Sequence, residues 1–484
     1  MEGFEVVVGI ETHVQILTKS KMFCGCGADF AGAEPNTLVC PVCLGLPGAL
    51  PTPNAAAIAA AVTTGLALGG EIRPRTWFER KNYHYPDLAK GYQISQYEAP
   101  LCTGGGLEVV GADGVRRTVG LERLHLEEDT AKLIHAPSET LLDFNRSGVP
   151  LMEIVSQPDM RSGDEARAYL EALRQLLRWL GVSTGNMEDG ALRADVNISV
   201  RRVGETRLGT KIEIKNLNSF AAAKGAIEHE AERLAGMAER GETIVQSTRG
   251  WDERTRTTFA QRTKEAADDY RYFPEPDLPP LVLDAGWIEA RRAALPALPA
   301  ARRADLTERW QLSDDEARVL TRDRATADYA VTALVAAGPG ESRAVAGWIS
   351  GPLFALANAE PALGEGWTSK VPPDALAELA ALVADGTLTR SVARDVLAEM
   401  WSTGRRAAEI AAGGARTQIS GSDALGAVVD AVLAAHPKPV ADWLGGKESA
   451  SAFLLGQVMR ATGGQANAAV ARDVLDKALA RRRV

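Results

Sequence analysis

Apolar and polar residues alternate one by one along several runs in the first 290 or so residues. In a strand, residues two apart point the same way. In VVVGIETHVQ, Val6, Val8 and Ile10 share one face, while Glu11 and His13 share the other. In LERLHLEEDT, Arg123, His125, Glu127 and Asp129 oppose Leu124 and Leu126. In LRADVNISV, Arg193, Asp195, Asn197 and Ser199 oppose Leu192, Ala194, Val196 and Ile198. In TKIEIKN, Lys211, Glu213 and Lys215 oppose Ile212 and Ile214. A helical period takes over at 163–180, where Ala166, Tyr169, Leu170, Leu173, Leu176, Leu177 and Leu180 make one stripe. Ser162 with Glu165 is a capping-box signature, and Gly181 is the stop. Residues 221–240, ending at Gly241, predict a second helix. The glycines of LCTGGGLE (101–108) predict a hairpin turn, and the prolines of PEPDLPPL (274–281) mark a boundary. Beyond about 290, Ala, Leu, Arg and Glu dominate and the pattern is helical. A Gly/Ser/Thr-rich break at 411–422 sets off a last helical unit, and no internal repeat is evident.

Each alternating run alone reads as a half-buried antiparallel strand with one solvated face. The set is less ordinary. A solvated face collects Thr, Lys and Glu, whereas these faces collect His, Asp, Asn, paired acids and Arg. If the strands share a sheet, they form a floor that carries acidic ligands and basic clamps together. Hard oxygen ligands with an occasional imidazole suit Mg²⁺ or Mn²⁺. Nearby Lys and Arg suit phosphate oxygens. That pairing is what phosphoryl transfer needs. The segment FERKNYHYPDLAKGYQISQYEAPL (78–101) adds Arg80, Lys81, Asn82, Tyr83, His84, Tyr85, Asp87, Lys90, Tyr92, Gln93 and Gln96 within seventeen positions. No G-x-x-x-x-G-K-[ST] loop and no G-x-G-x-x-G after a strand occurs, so an ATP site would be neither P-loop nor Rossmann in type. No G-x-S-x-G element and no Cys/His pairing marks a hydrolase nucleophile.

Cysteine and charge narrow the picture. Cys24 and Cys26, then thirteen residues, then Cys40 and Cys43 place two close pairs on separate turns, as a tetrahedral four-thiolate zinc site requires. Such a closed site is structural, because no coordination position is left for a substrate. Cys102 is left over and reads as a small buried or loop residue. This usage suits a reducing cytoplasm better than a disulfide framework. The start, MEGFEVVVGIETHVQ, lacks the features of a signal peptide, and no apolar run is long enough to predict a membrane span. The net charge of −9 argues against a nonspecific nucleic-acid binder, although residues from 401 onward carry eleven Lys/Arg against seven Asp/Glu and end in Arg481, Arg482 and Arg483.

These segments together resemble the B-subunit family of the bacterial tRNA-dependent Asp/Glu amidotransferases. The resemblance runs along the whole chain. It is carried by VGIETHVQ (8–15), FCGC (23–26), CPVCLGLPGALPTPN (40–54), RKNYHYPDLAKGYQISQ (80–96) and LHLEEDTAKLIH (124–135). It continues in DFNRSGVPLMEIVSQPD (143–159), MEDGALRADVNISVR (187–201), GTKIEIKNLNSF (209–220), QSTRGWDERTRTTFAQRTKEAADDYRYFPEPDLPPL (246–281) and GQVMRATGGQANAAVARDVL (456–475). His84 departs from the aromatic residue that relatives often have there. The resemblance implies an α+β fold: a glutamine-synthetase-like catalytic cradle with an antiparallel sheet and a zinc-binding loop over 1–292, an all-helical domain over 293–410, and a YqeY-like helical tail over 411–484. The large inserted domain of the archaeal E-type relatives has no room here.

The implied reaction uses ATP to phosphorylate the side-chain carboxylate of Glu on tRNA(Gln) or Asp on tRNA(Asn). Ammonia then displaces the phosphate. The ammonia would come from an amidase A subunit, with a small C subunit clamping a heterotrimer. Glu11, His13 and Glu127 fall on the family's metal-binding positions, with Glu128 a second candidate that strand alternation points to the other face. Lys81, Tyr83, Lys90, Arg193, Asp195, Glu213 and Lys215 match positions lining the ammonia route and phosphate site. Asp195, Glu127 and Glu213 are all eligible to deprotonate ammonium. Arg460, Thr462, Gly463, Gly464 and Asn467 resemble the part that reaches the tRNA elbow. Two other readings compete: a tRNA-binding adaptor with a zinc knuckle, and a glutamine-synthetase-like enzyme acting on a free amino acid. The first leaves the carboxylates on several strands without purpose, and the second does so for the basic tail.

Overall fold

The computed structural model describes residues 3–262, 270–360, 369–413, 418–419 and 421–482. The chain divides into two units, one up to Leu298 and one from Pro299. The first is built on a ten-stranded sheet. The strands that matter for the site are β1 (Phe4–Gln15), β2 (Glu79–Asn82), β3 (Tyr92–Ser95), β4 (Arg116–Glu128), β5 (Pro150–Ser156), β6 (Leu192–Arg202), β7 (Ile212–Leu217), β8 (Ser247–Asp252) and β9 (Thr257–Arg262). The large sheet runs β9-β8-β7-β6-β1-β5-β4 and then two short strands, while β2 and β3 pair in a separate three-stranded sheet. All these neighbours are antiparallel except β7 and β8. That one parallel pair has the helical crossover that parallel strands need, supplied by the helix Phe220–Glu239.

The alternation in the sequence becomes two faces of this sheet. Val8, Ile10, Val14, Leu124, Leu126, Met152, Ile154, Leu192, Val196, Ile198, Ile212 and Ile214 lie buried in one apolar core. Four helices contribute to that core: α1 (Ala55–Ala67), α2 (Gly163–Trp179), α3 (Phe220–Glu239) and α4 (Ala285–Ala293). The expected stripe of α2 is the buried one, with Tyr169, Leu170, Leu173 and Leu177 fully covered. Each such side chain contributes about 1.5–3 kcal/mol, so packing rather than propensity holds the helix. Ser162 caps α2 by accepting the Glu165 N–H at 3.1 Å, while the Glu165 carboxylate accepts from Arg161 N–H, one residue before the cap. The helix α1 has no clear amphipathic stripe in sequence; its start is set by Asn54, whose side chain accepts from the N–H groups of Ala56 and Ala57.

The expected hairpin at 101–108 is not one. Cys102–Thr103 and Gly106–Val110 both pair with β4 and not with each other. Gly104 and Gly105, at φ +67° and +85°, step the chain past the end of α1, where a Cβ on Gly105 would meet the Leu68 carbonyl oxygen at 2.4 Å. The proline-rich stretch is stitched to the first unit: Phe273–Pro274 pairs with β2, and Leu281–Val282 pairs with Arg75–Thr76.

The second unit is helical where described and has two separate apolar cores, one drawing on residues 306–411 and one on residues 425–479. Of the expected break at 411–422, residues 414–417 and 420 lie outside the described residues, as do Arg483 and part of the 246–281 motif.

Glu230 on α3 ties the helix to the parallel edge of the first unit. It is fully buried and pairs with Arg233 at 2.7 Å and with Arg249 of β8 at 3.1 Å, and it accepts a hydrogen bond from the Thr258 hydroxyl of β9. Burial works to raise its pKa, but the hydrogen bonds from Arg233 and Thr258 and the charges of both arginines hold it below the usual carboxylate range. A carboxylate depressed in the folded state stabilises above its unfolded pKa and loses that stabilisation as pH falls. Glu230→Gln should therefore cost about 2–4 kcal/mol at pH 7, with the gap narrowing below roughly pH 4. Urea midpoints at the two pH values check this; a gap that stays constant contradicts it.

Candidate active site

Strand register builds the site. Arg193 of β6 stands opposite His13 of β1, His13 opposite Glu153 of β5, and Glu153 opposite His125 of β4. One row of charged or titratable residues thus crosses four strands on the face away from the apolar core. Glu127 lies one pleat further along β4. His13 Nε2 is 3.3 Å from Glu153 Oε2 and 3.6 Å from Glu127 Oε1. His125 Nε2 is 3.4 Å from Glu153 and 3.8 Å from Glu127. His13, Glu127 and Glu153 each offer one ligand atom, all within 4.8 Å of one another.

The electrostatics follow from burying two carboxylates together. Burial and mutual repulsion push against ionisation. For Glu127, burial is opposed by a hydrogen bond with His125 and the charges of His13 and Lys81, and the pKa is lowered. For Glu153, burial is opposed by His125, His13 and Lys81, and the carboxyl is held well below its ordinary range. For His13, burial is outweighed by the Glu153 hydrogen bond and the charges of Glu153, Glu127 and Asp195, which raise it to about 9. A proton on His13 sets one positive charge between the two acids, where a divalent cation would set two. Two carboxylate oxygens and an imidazole nitrogen are donors that Mg²⁺ or Mn²⁺ accepts.

A cavity of about 340 Å³ opens beside this cluster, lined by His13, Lys81, Tyr83, Glu127, Arg193, Asp195 and Lys215 among others. Two of its cations, Arg193 and Lys215, are held by acids. Asp129, buried, forms an ion pair with Arg193 at 2.9 Å and accepts from the Gln15 amide at 2.8 Å. Lys215 donates to Asp195 at 2.5 Å and lies 3.4 Å from Glu213. The register slips between β6 and β7 beside Asp195, and Asn216 takes a left-handed φ of 63°. Such a bulge re-aims the side chains next to it. Lys81 has the rings of Tyr270 and Tyr83 at 5.0 and 5.9 Å.

The structure brings together seven residues singled out in the sequence, holds Glu213 behind one of them, Lys215, and leaves Glu11, Glu128 and Lys90 apart. Glu11 lies on the same face, but its Oε1 accepts from the Asn197 amide at 2.7 Å and it lines a separate hollow of about 230 Å³. Glu213 is buried, accepting from the Thr248 hydroxyl at 2.9 Å. Glu128 is turned away, as alternation requires, accepting from Lys90 and from Ile94 N–H. Glu128 and Lys90 line a different pocket of about 180 Å³ beside the cysteine loop. Glu153 escapes the sequence reading; its one signal is a lone acid inside the apolar run PLMEIV.

The four cysteine sulfurs lie within 4.8 Å of one another, with Cys40 and Cys43 at 3.9 Å. Zn–S bonds of 2.3 Å in a regular tetrahedron need S···S separations of about 3.8 Å. Beside them lies Lys21, only 1% exposed. Its Nζ is 3.8 Å from Cys43 Sγ and donates to the carbonyls of Leu38 at 2.7 Å and Phe144 at 3.3 Å. No carboxylate pairs with it among the described residues. A buried ammonium needs an anion, and four thiolates around Zn²⁺ leave a net negative charge. The hydrogen bond with Cys24, then the Cys40 backbone N–H and the charge of Lys21, push the Cys43 thiol down to about 5 against burial. The set fits zinc.

In the second unit, Thr462, Gly463, Gly464 and Asn467 form one turn. Gly463 and Gly464 have φ of 58° and 80°, and Asn467 caps the helix Ala468–Arg481. Gly464 also accepts from the Thr389 hydroxyl at 2.7 Å. Arg460 is exposed one turn earlier.

Residues 6–289 match the family model of the GatB/GatE catalytic domain, and residues 330–479 match that of the GatB domain. The chain belongs to the GatB/GatE family. Within it, the B subunit of the aspartyl/glutamyl-tRNA(Asn/Gln) amidotransferase of Thermomicrobium roseum is 52% identical over 98% of this chain and 99% of its own length. The equivalent proteins of Dehalococcoides mccartyi and Roseiflexus castenholzii carry the same name. They are 48% and 49% identical over 99% and 98% of this chain, and each match spans 99% of the relative. The polar cleft and the cysteine cluster of this GatB/GatE chain both fall in the catalytic-domain match, and the turn at 462–467 in the second.

If Lys21 balances the metal site, Lys21→Met should release zinc to a chromophoric chelator about 10–100-fold faster than wild type. Equal release rates contradict that role.

Proposed function

We propose that this chain is the amidating subunit of a glutamine-dependent tRNA amidotransferase, acting on Glu-tRNA(Gln) or Asp-tRNA(Asn). The observation that carries the reading is the cleft itself: a buried pair of acids and an imidazole beside three cations, Lys81, Arg193 and Lys215. A carboxylate is a poor electrophile, and ATP converts it to an acyl phosphate. A divalent cation on His13, Glu127 and Glu153 would neutralise phosphate charge during that transfer. Lys81, Arg193 and Lys215 would hold phosphate oxygens, Arg193 oriented by Asp129 and Lys215 by Asp195. Ammonia attacks the acyl carbon, nitrogen loses a proton, and phosphate leaves with the bonding pair. Asp195 is our choice for that proton: Glu127 belongs to the cation cluster, while Glu213 is engaged with Thr248. Geometry near the reacting nitrogen is what such a base needs first.

The finer architecture belongs to the same reading. The first 292 residues would form a glutamine-synthetase-like cradle stapled by structural zinc, residues 293–410 a helical domain, and residues 411–484 a YqeY-like tail that reaches the tRNA elbow through exposed Arg460. The relatives are each named as one subunit of an amidotransferase, which supports the presence of others. An amidase A subunit would supply ammonia, and a small C subunit would clamp the two in a cytoplasmic heterotrimer. No described helix is long and apolar enough to cross a membrane.

The test is amidation of Glu-tRNA(Gln) by the heterotrimer with ATP and free ammonium, glutamine left out. Wild type should form Gln-tRNA(Gln). Glu127→Ala should lose at least about 100-fold in rate, the scale of removing one electrostatic stabiliser of a transition state. Glu153→Gln should fall comparably, although Glu153 makes no part of the cavity lining. No product from wild type that still binds tRNA contradicts the proposal and leaves the adaptor reading.

A further inference from the structure

Six of the eight tyrosines in this chain fall in two short segments, 83–97 and 270–272, and four of them form a ladder. Tyr83 lines the cleft. Its ring meets Tyr270 edge-on at 5.9 Å, Tyr270 meets Tyr272 edge-on at 6.1 Å, and Tyr272 stacks on Tyr97 at 4.4 Å with an interplanar angle of 8°. Tyr97, the last rung, is 41% exposed. The ladder therefore leads from the reacting cleft to solvent.

It is also held in place by residues with no other evident work. The Asn82 amide donates to the carbonyls of Tyr270 and Arg271 at 3.2 and 2.8 Å, which pins that segment to β2. Arg271, between the two tyrosines, takes a left-handed φ of 47° and is exposed. A non-glycine residue in that region is uncommon and strained. The buried Glu79 carboxylate accepts from Tyr97 N–H at 2.6 Å and Glu98 N–H at 2.8 Å, which sets the outer rung. None of the four phenol hydroxyls is hydrogen-bonded to a protein group among the described residues. A core would use these rings differently: it would cover Tyr97 and give the hydroxyls partners.

We propose that this ladder is a stacking platform for the unpaired 3′ end of the tRNA. The inference rests on the function proposed above and deepens it. The carboxylate to be amidated hangs on the terminal ribose by one amino-acid length. If that carboxylate sits beside His13, Glu127 and Glu153, the terminal nucleotides must pass the wall where Tyr83 stands. Unpaired bases are recognised by aromatic faces, with cations tracking the phosphates. Lys81 beside Tyr83 and Tyr270 supplies a cation at the cleft end of the ladder, and exposed Arg271 supplies another on the segment between its two middle rungs. Positioning the 3′ end this way would add affinity without specifying which amino acid is carried.

The experiment uses the heterotrimer and a tRNA whose terminal adenine is replaced by 2-aminopurine, a base whose fluorescence falls on stacking. Binding to wild type should quench it. Tyr270→Ala and Tyr272→Ala should lose the quench, and should raise KM for aminoacyl-tRNA about 5- to 100-fold with ammonium-dependent kcat retained. Tyr270→Phe and Tyr272→Phe should behave as wild type. Alanine variants with unchanged quench and KM overturn the proposal. So does loss of another subunit from the variant complex, which would make the ladder a protein interface. Wild type that binds tRNA but makes no amide fails the proposed function instead, and the quench then still reports on the platform.

Discussion

Two acids buried side by side set the terms for the rest of the first unit. Glu127 and Glu153 lie within reach of the same imidazole nitrogens, His13 and His125, away from bulk water. Uncompensated carboxylates in such a place would take up protons. They remain ionised because three strands of the large sheet deliver cationic or protonatable groups in register, His13 from β1, His125 from β4 and Arg193 from β6, while β2 of the separate three-stranded sheet adds Lys81. A one-residue slip of any of the three strands of the large sheet would turn its charged set into the apolar core. The hydrophobic alternation that builds the core thus also enforces the geometry of the site.

The cysteine loop is joined to that site through backbone rather than through the metal chemistry itself. Met22 N–H donates to the Gly148 carbonyl at 2.7 Å, Gly148 N–H to the Asp129 carbonyl at 2.9 Å, and Asp129 N–H to the Val149 carbonyl at 2.8 Å. Asp129 in turn holds Arg193. Gly148, at φ +84°, makes this crossing where a Cβ would meet Cys43 Cβ at 3.4 Å and Lys21 Cδ at 3.5 Å. A structural zinc here would brace one wall of the cleft without touching a substrate.

Much of the polar face is legible in the sequence, because period-two alternation is a local property. Glu127, His13, Arg193, Asp195 and Lys215 share a face for reasons visible in their own strands. What alternation cannot supply is the neighbour. Glu153 sits in PLMEIV, where a single acid among apolar residues gives no face of its own, and it becomes important only opposite His13 and His125. Lys21 likewise has no signal in the sequence and gains a role only where the fold buries it beside the cysteines. Glu11 shows the converse: its strand places it on the right face, but register puts it across from Asp195 and hydrogen-bonded to Asn197, in a different hollow. The run LCTGGGLE misleads because glycines that bend a chain look the same whether the flanking strands pair with each other or with a third.

Everything proposed for the cleft depends on the His13–Glu127–Glu153 cluster being a divalent-cation site and not a self-contained ion-pair network. Titrating Mn²⁺ into the protein and following free manganese by electron paramagnetic resonance tests this directly. Wild type should show one site whose affinity falls about 10–100-fold in His13→Gln, with the fold unchanged by circular dichroism. Manganese binding that is identical in wild type and His13→Gln would contradict it, and would leave the buried acids as a purely structural device.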